Sequence, residues 1–198
     1  MKKLLLIIIT IFYISNSFGQ EKKIAFGLKI GVNYVIPSYL EKWHIEFDGK
    51  TNANFGVFIN YSLTDKFIIR PELIYSIQNL NYETELGTIS GYFPNKGIQK
   101  ESFLNFPILI KYSLNDKFSF IFGPQLGFIM NTDVRFVIEK DSLYYIKPTD
   151  KFNFSGNVGF SYEITKKFYT ELRYNFGLTE LNGFKNSVVQ LNLDLIIF

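Results

Sequence analysis

YSLTDKF (Tyr61 to Phe67), YSLNDKF (Tyr112 to Phe118) and YEITKKF (Tyr162 to Phe168) are three versions of one short unit, recurring after 51 and then 50 residues. Each opens on Tyr, passes through turn-forming residues and closes on Phe. Apolar and polar residues alternate on both sides of it, which is how a hairpin between two half-buried strands is written. A period of about 50 residues accommodates two strands and two connections, so the unit reads as an internal repeat of hairpin pairs.

Reading away from the turns gives six strands, and the two ends of the chain add one each. Before the first turn, Ala53, Phe55, Val57, Ile59 and Tyr61 oppose Asn54, Gly56, Phe58 and Asn60; after it, Phe67, Ile69, Leu73, Tyr75 and Ile77 oppose Arg70, Glu72, Ile74, Ser76 and Gln78. The second turn joins strands from Phe103 to Tyr112 and from Phe118 to Phe128, and the third joins Phe152 to Tyr162 with Phe168 to Leu178. Ile24 to Tyr34 and Val189 to Ile197 alternate in the same way. Eight strands of about 10–12 residues result, long enough to cross a hydrocarbon core at a tilt, whereas ordinary soluble strands run to about 5–6.

The connections alternate too. Three are short turns, and the others, Val35 to Thr51, Leu80 to Lys100, Asn131 to Asp150 and Glu180 to Asn186, are mostly long. With both termini on the short-turn side, this is the asymmetry of bacterial outer-membrane barrels, with short periplasmic turns and longer external loops. Alternation alone leaves a soluble, lipocalin-like ligand-binding barrel open, since that fold keeps its apolar face inward. Bulk decides between them. A narrow eight-stranded interior suits the face carrying Gly27, Gly31, Gly56, Gly123, Gly127, Gly159 and Gly177 better than the face crowded with Phe and Leu. The expected fold is an all-β, eight-stranded antiparallel up-and-down transmembrane β-barrel. Tyr61, Phe67, Tyr112, Phe118, Tyr162 and Phe168 fall on its outer face beside the turns, as a girdle at the boundary between lipid and water.

Residues 1–19 read as a secretory signal: Lys2 and Lys3, an apolar run from Leu4 to Ile14, then Ser17-Phe18-Gly19, with cleavage expected after Gly19. The barrel domain then occupies residues 20–198 and is placed in the bacterial outer membrane. Taking Lys2 and Lys3 from 21 basic residues leaves 19 against 18 acidic ones, which offers no electrostatic case for nucleic acid. The chain has no cysteine, so neither a disulfide framework nor a cysteine-linked lipid is expected.

Inward parity collects seven charges: Lys29, Arg70, Glu72, Lys111, Glu171, Arg173 and Asp194. The first turn is followed by Arg70 then Glu72, and the third by Glu171 then Arg173. These strands stand on opposite walls of an eight-stranded barrel, and the reversed order allows each acid to meet a base across the lumen. The expected role is to fill and neutralise the interior, since unpaired buried charge costs several kcal/mol; the alternative is a path for ions or small solutes through a narrow channel. Pro71, on the outward parity between Arg70 and Glu72, removes a ladder donor and marks a bulge or a weakly paired spot. No enzymatic activity, cofactor or metal is expected. The one His, His44 beside Trp43, cannot by itself build a triad or a metal cluster, and no phosphate loop or dinucleotide fingerprint is present. Tyr82, Ile89, Tyr92 and Phe93, with Phe136, Val137, Ile138, Tyr144, Tyr145 and Ile146, make the second and third long connections more apolar than solvated loops need to be. They extend strands above the membrane, the preferred reading, or dock a protein partner.

Taken as an ordered series, Gly27-Leu28-Lys29-Ile30-Gly31-Val32-Asn33, Arg70-Pro71-Glu72-Leu73 with Tyr75-Ser76, Phe103-Leu104-Asn105-Phe106-Pro107 leading to Lys111-Tyr112, and Phe122-Gly123-Pro124 resemble the PorT-like outer-membrane β-barrel proteins of Gram-negative bacteria. The resemblance implies an integral outer-membrane barrel in contact with lipid, some of whose relatives are connected to protein secretion machinery, and it supplies no catalytic residue. Phe198 resembles the terminal aromatic read by the barrel-insertion machinery, although Leu191, Leu193, Leu195 and Ile197 have the opposite parity.

Overall fold

The computed structural model describes residues 23–37, 45–88, 91–137, 151–179 and 185–198. The expected signal at 1–19, Trp43 and His44, and Ile89, Ile138, Tyr144, Tyr145 and Ile146 lie outside them. The described strands are β1 (Ile24–Pro37), β2 (Ile45–Gly49), β3 (Thr51–Ser62), β4 (Phe67–Thr88), β5 (Gly91–Ser113), β6 (Phe118–Val137), β7 (Phe152–Glu163), β8 (Phe168–Gly177) and β9 (Asn186–Ile196).

Eight of these form a ring in which every pairing is antiparallel: β1 pairs with β3, the order continues through β4 to β9, and β9 returns to β1. Closure removes both sheet edges. The ninth, β2, continues β3 upward past Lys50. It pairs with β4 from Ile45↔Thr84 to Gly49↔Leu80, one step out of register with Asn54↔Ser76 below. Asn52 braces the step, donating to the Lys50 carbonyl (2.8 Å) and accepting from the Asn79 amide (3.1 Å).

The second long connection follows the preferred reading, as strands extended past the barrel. β4 and β5 stay paired up to Thr88↔Gly91, and β6 follows β5 up to Lys96↔Val137, so a ribbon of β2, β4, β5 and β6 rises beyond the level where β7 begins at Phe152↔Phe128. Above a membrane the outer parity need not be apolar, so the positions held by Leu73, Tyr75 and Ile77 lower down are followed by Asn79, Asn81, Glu83 and Glu85 while the backbone ladder persists. Tyr82, Tyr92, Phe93, Phe136 and Val137 lie on these extended strands.

Each repeated turn is closed by one device. Thr64 Oγ1 accepts from the Lys66 and Phe67 amides (3.3 and 3.1 Å), Asn115 Oδ1 from those of Lys117 and Phe118 (2.9 and 2.8 Å), and Thr165 Oγ1 from those of Lys167 and Phe168 (3.3 and 3.2 Å). A short polar side chain that bonds the backbone two and three residues ahead holds a tight turn, which is why the fourth position of the unit is Thr or Asn. Neighbouring hairpins are then stitched through the turn lysines: the Ser113, Glu163 and Ile196 amides donate to the carbonyls of Lys66, Lys117 and Lys167 at 2.8–2.9 Å.

The two faces separate as bulk requires. Ile30, Phe55, Ile108, Phe160, Leu172 and Leu191 are more than half exposed on the outside. The interior holds Asn, Gln and Ser with Val35, Phe58, Ile74, Leu109, Ile121 and Val188 packed between them. A soluble ligand-binding barrel would have these faces exchanged. Pro71 has the effect expected of a missing donor: β3–β4 pairing lapses between Phe58↔Glu72 and Tyr61↔Ile69 and resumes in the same register.

Candidate functional site

The charged residues sit low in the lumen, near the turns, because each occupies an early inward position on a strand leaving that end or a late one on a strand returning to it. Lys29 is on β1, Arg70 and Glu72 on β4, Glu171 and Arg173 on β8, and Asp194 on β9, directly opposite Lys29 in the β1–β9 register. All six side chains are wholly buried.

They form a lattice of alternating sign. Arg173 grips Glu72 with both terminal nitrogens, Nη1 to Oε2 at 2.9 Å and Nη2 to Oε1 at 3.1 Å, and also meets Glu171. Arg70 crosses the other way, Nη1 to Glu171 Oε2 at 2.9 Å, with Nη2 at 2.8 Å from Asp194 Oδ2. Lys29 Nζ stands between all three acids, 2.7 Å from Glu171, 3.0 Å from Glu72 and 3.5 Å from Asp194. The planar fork of arginine matches a carboxylate edge to edge, and the compact ammonium of lysine fits a point between several oxygens. The reversed order of acid and base on β4 and β8 thus yields crossed pairs over the lumen. Three bases meet three acids, so the lattice is neutral.

Lys111 stands apart. It is buried, but its Nζ is 3.3 Å from Ser161 Oγ and 4.3 Å from the centre of the Tyr169 ring, and it pairs with no acid among the described residues. Two features escaped the reading of the residues. Phe58 lies under Arg70, whose guanidinium carbon is 3.8 Å from the ring centre, and Gly27 makes room for that ring, since a Cβ there would come within 2.1 Å of it. Glu101 is buried inside the lumen toward the opposite end; extending the inward parity of Phe103 and Asn105 by one step finds it.

Above the lattice lies a tier of buried carboxamides and hydroxyls, including Asn33, Asn54, Ser76, Asn157, Asn175 and Gln190. Asn33 donates to Ser76 Oγ (2.9 Å), and Asn175 to Ser155 Oγ (2.8 Å) and Asn157 Oδ1 (3.1 Å). Lattice, tier and apolar side chains share the lumen. Side chains bonded across the lumen in this way can brace the walls against each other. No set of three or more His, Cys, Asp or Glu side chains suited to a metal occurs among the described residues.

The six girdle residues lie outside, at the turn end. Phe67 faces Tyr112 and Phe118 faces Tyr162 across their ladders, ring centres 4.9 and 4.8 Å apart, while Tyr61 faces Ile24 and Phe168 faces Leu195. Phe198 reaches the outer face despite its parity. The regular register ends at Gly27↔Ile196; beyond it the Ile197 amide donates to the Phe26 carbonyl (2.8 Å) and the Phe26 amide to the Phe198 carbonyl (2.9 Å), so two residues oppose one and the Phe198 ring stands 5.7 Å from that of Phe26.

Among solved structures, Neisserial surface protein A shares 10% identity over 87% of this chain and 97% of its own, with a TM-score of 0.55. OprG of Pseudomonas aeruginosa shares 14% identity over 86% and 95%, TM-score 0.45, and outer membrane protein W of E. coli 17% over 87% and 97%, TM-score 0.45. At such identities the likeness to the first shows the fold alone. No curated protein matches in sequence. The model of the outer membrane protein beta-barrel domain matches residues 15–183. A match over that much of the chain, on a closed barrel with its apolar face turned outward, means that the chain belongs to the outer membrane protein β-barrel domain family and that its place is the outer membrane.

Proposed function

We propose that the protein is a plugged, non-conducting barrel that anchors an external β-ribbon in the outer membrane, with a structural or partner-binding role rather than a catalytic one. One observation carries this reading: six buried charges from β1, β4, β8 and β9 meet in a neutral, mutually bonded lattice across the lumen. A permeating ion would have to displace contacts of 2.7–3.0 Å, and separating buried pairs costs several kcal/mol each. The test is conductance of the purified protein in planar bilayers. A quiet membrane after insertion is expected, and reproducible open-channel steps would instead favour the narrow channel.

The ribbon of β2, β4, β5 and β6 is the part that stands clear of the barrel and presents a partner with backbone and side chains. Under the PorT-like resemblance, the class of partner is a component of protein secretion machinery. Photo-crosslinking from Lys100 and Ile98, both exposed, is expected to trap one discrete partner, whereas cells yielding only the uncrosslinked barrel would leave a purely structural role.

A further inference from the structure

Glu101 is the exception among the buried acids. Glu72, Glu171 and Asp194 each touch two or three cationic side chains. Glu101 is just as enclosed, with 4% of its surface exposed, yet its partner is an amide: Gln99 Nε2 donates to Oε1 at 2.8 Å. No ion pair reaches it among the described residues, and Lys100, next in the chain, is exposed on the opposite face. A carboxylate shut away from water without a counter-charge costs several kcal/mol, so something must neutralise it.

Its neighbours say what. Glu101 lies in one cross-strand row with Gln78 on β4 and Thr132 on β6, and side chains facing each other in such a row have Cβ atoms roughly 4.5–5.5 Å apart. Thr132 Oγ1 is shielded from solvent and has no hydrogen-bond partner among the described residues. Gln78 turns its amide nitrogen to Ser76 Oγ (3.4 Å), and Gln99, two residues before Glu101, turns its own to the carboxylate, so the Glu101 carboxylate and the Thr132 hydroxyl are oxygens of the row with no cation against them among the described residues. A single proton would satisfy one of these oxygens. A cation takes several at once.

We propose that the root of the external ribbon holds a singly charged cationic group on Glu101 and Thr132: a monovalent metal ion or a primary ammonium, the latter supplied free or by a lysine of a docked partner. One carboxylate matches one positive charge, and no group of three or more acid, His or Cys side chains of the kind a divalent ion calls for occurs among the described residues. The site is separate from the neutral lattice and stands whether or not the lumen conducts.

The experiment is thermal unfolding of the full barrel in detergent micelles, in sodium, potassium, methylammonium or tetraethylammonium chloride at equal ionic strength. A small cation present at about ten times its Kd is expected to raise the midpoint by about 3–6 °C over bulky tetraethylammonium. Glu101→Gln should abolish the difference. A rise with sodium or potassium alone assigns a free metal ion, and one with methylammonium alone assigns an amine. Thr132→Val leaves the carboxylate in place and should weaken the response, which keeps the test open if Glu101→Gln fails to fold. Equal midpoints in all four salts for the wild type, a difference that survives Glu101→Gln, or a Thr132→Val response equal to the wild type would overturn the site.

Discussion

Replacing Arg173 by Met removes two hydrogen bonds to Glu72, at 2.9 and 3.1 Å, and the contact with Glu171. Each charge-assisted bond contributes about 1.5–3 kcal/mol, but the loss is not their sum. Lys29 remains 3.0 Å from Glu72 and 2.7 Å from Glu171, and Arg70 remains 2.9 Å from Glu171, so both acids keep a counter-charge while the lattice as a whole goes to a net charge of minus one. The expected cost is about 3–5 kcal/mol, the usual penalty for breaking a buried pair from one side. Glu72→Met should cost a similar amount for the opposite imbalance. The double variant restores neutrality, with Lys29 and Arg70 against Glu171 and Asp194, and should fall short of the summed single costs by about 1.5–3 kcal/mol. Urea unfolding in phospholipid bilayers, followed by circular dichroism, measures all four corners of the cycle. Lys111→Met is the internal control: with Ser161 and the Tyr169 ring as its partners, its loss should cost less than about 1 kcal/mol. An Arg173→Met cost under about 1 kcal/mol, or a cycle that is simply additive, would refute the view that the six charges act as one bonded unit.

Gly27→Val places a side chain where the Phe58 ring lies, 2.1 Å from a Cβ, and should lower stability by about 1–3 kcal/mol, with recovery when Phe58→Leu is added; a neutral Gly27→Val would mean the ring has another place to go. Because the chain has no cysteine of its own, single cysteines report orientation directly. On intact cells a membrane-impermeant maleimide should label Lys100→Cys, and should label Asn115→Cys after the outer membrane is permeabilised; the reverse result would turn the barrel over. N-terminal sequencing of protein from the membrane should begin at Gln20, and recovery of Leu4 to Ile14 would remove the cleavage reading. Deleting Phe198 takes away the ring against Phe26 and should reduce the amount of folded barrel assembled in the outer membrane, whereas unchanged assembly would rule out a role in insertion.

The strands that touch lipid were legible because lipid imposes a rule on every second residue. From Ile24 to Tyr34, or from Phe152 to Tyr162, one face must be apolar and the other must fit a narrow interior, and that constraint is written in period two. The upper parts of β4, β5 and β6 were not legible in the same way. Asn79, Asn81 and Lys100 stand on the outer parity with no lipid to demand an apolar side chain, and the backbone bonds that make these residues strands leave no mark on side-chain identity. β2 was missed for a related reason: its five residues are held by pairing with the far end of β4, a partner more than thirty residues away.

For the charges, parity along each strand was enough to name the seven inward residues, and the opposite order of acid and base on β4 and β8 was enough to suggest crossed pairing. Which of them bond was a matter of stagger. The shear of the closed sheet sets the height of each strand against its neighbours; it brings Lys29 opposite Asp194 and leaves Lys111 beside Tyr169 instead of an acid, and no local pattern encodes that offset. The same holds for Glu101, whose isolation depends on what three strands present at one level. Alternation, turn chemistry and bulk are local properties, and they settle the barrel, its short turns and which face of each strand meets lipid. The partner of each buried charge is a long-range property, decided when the ring closes and the registers lock.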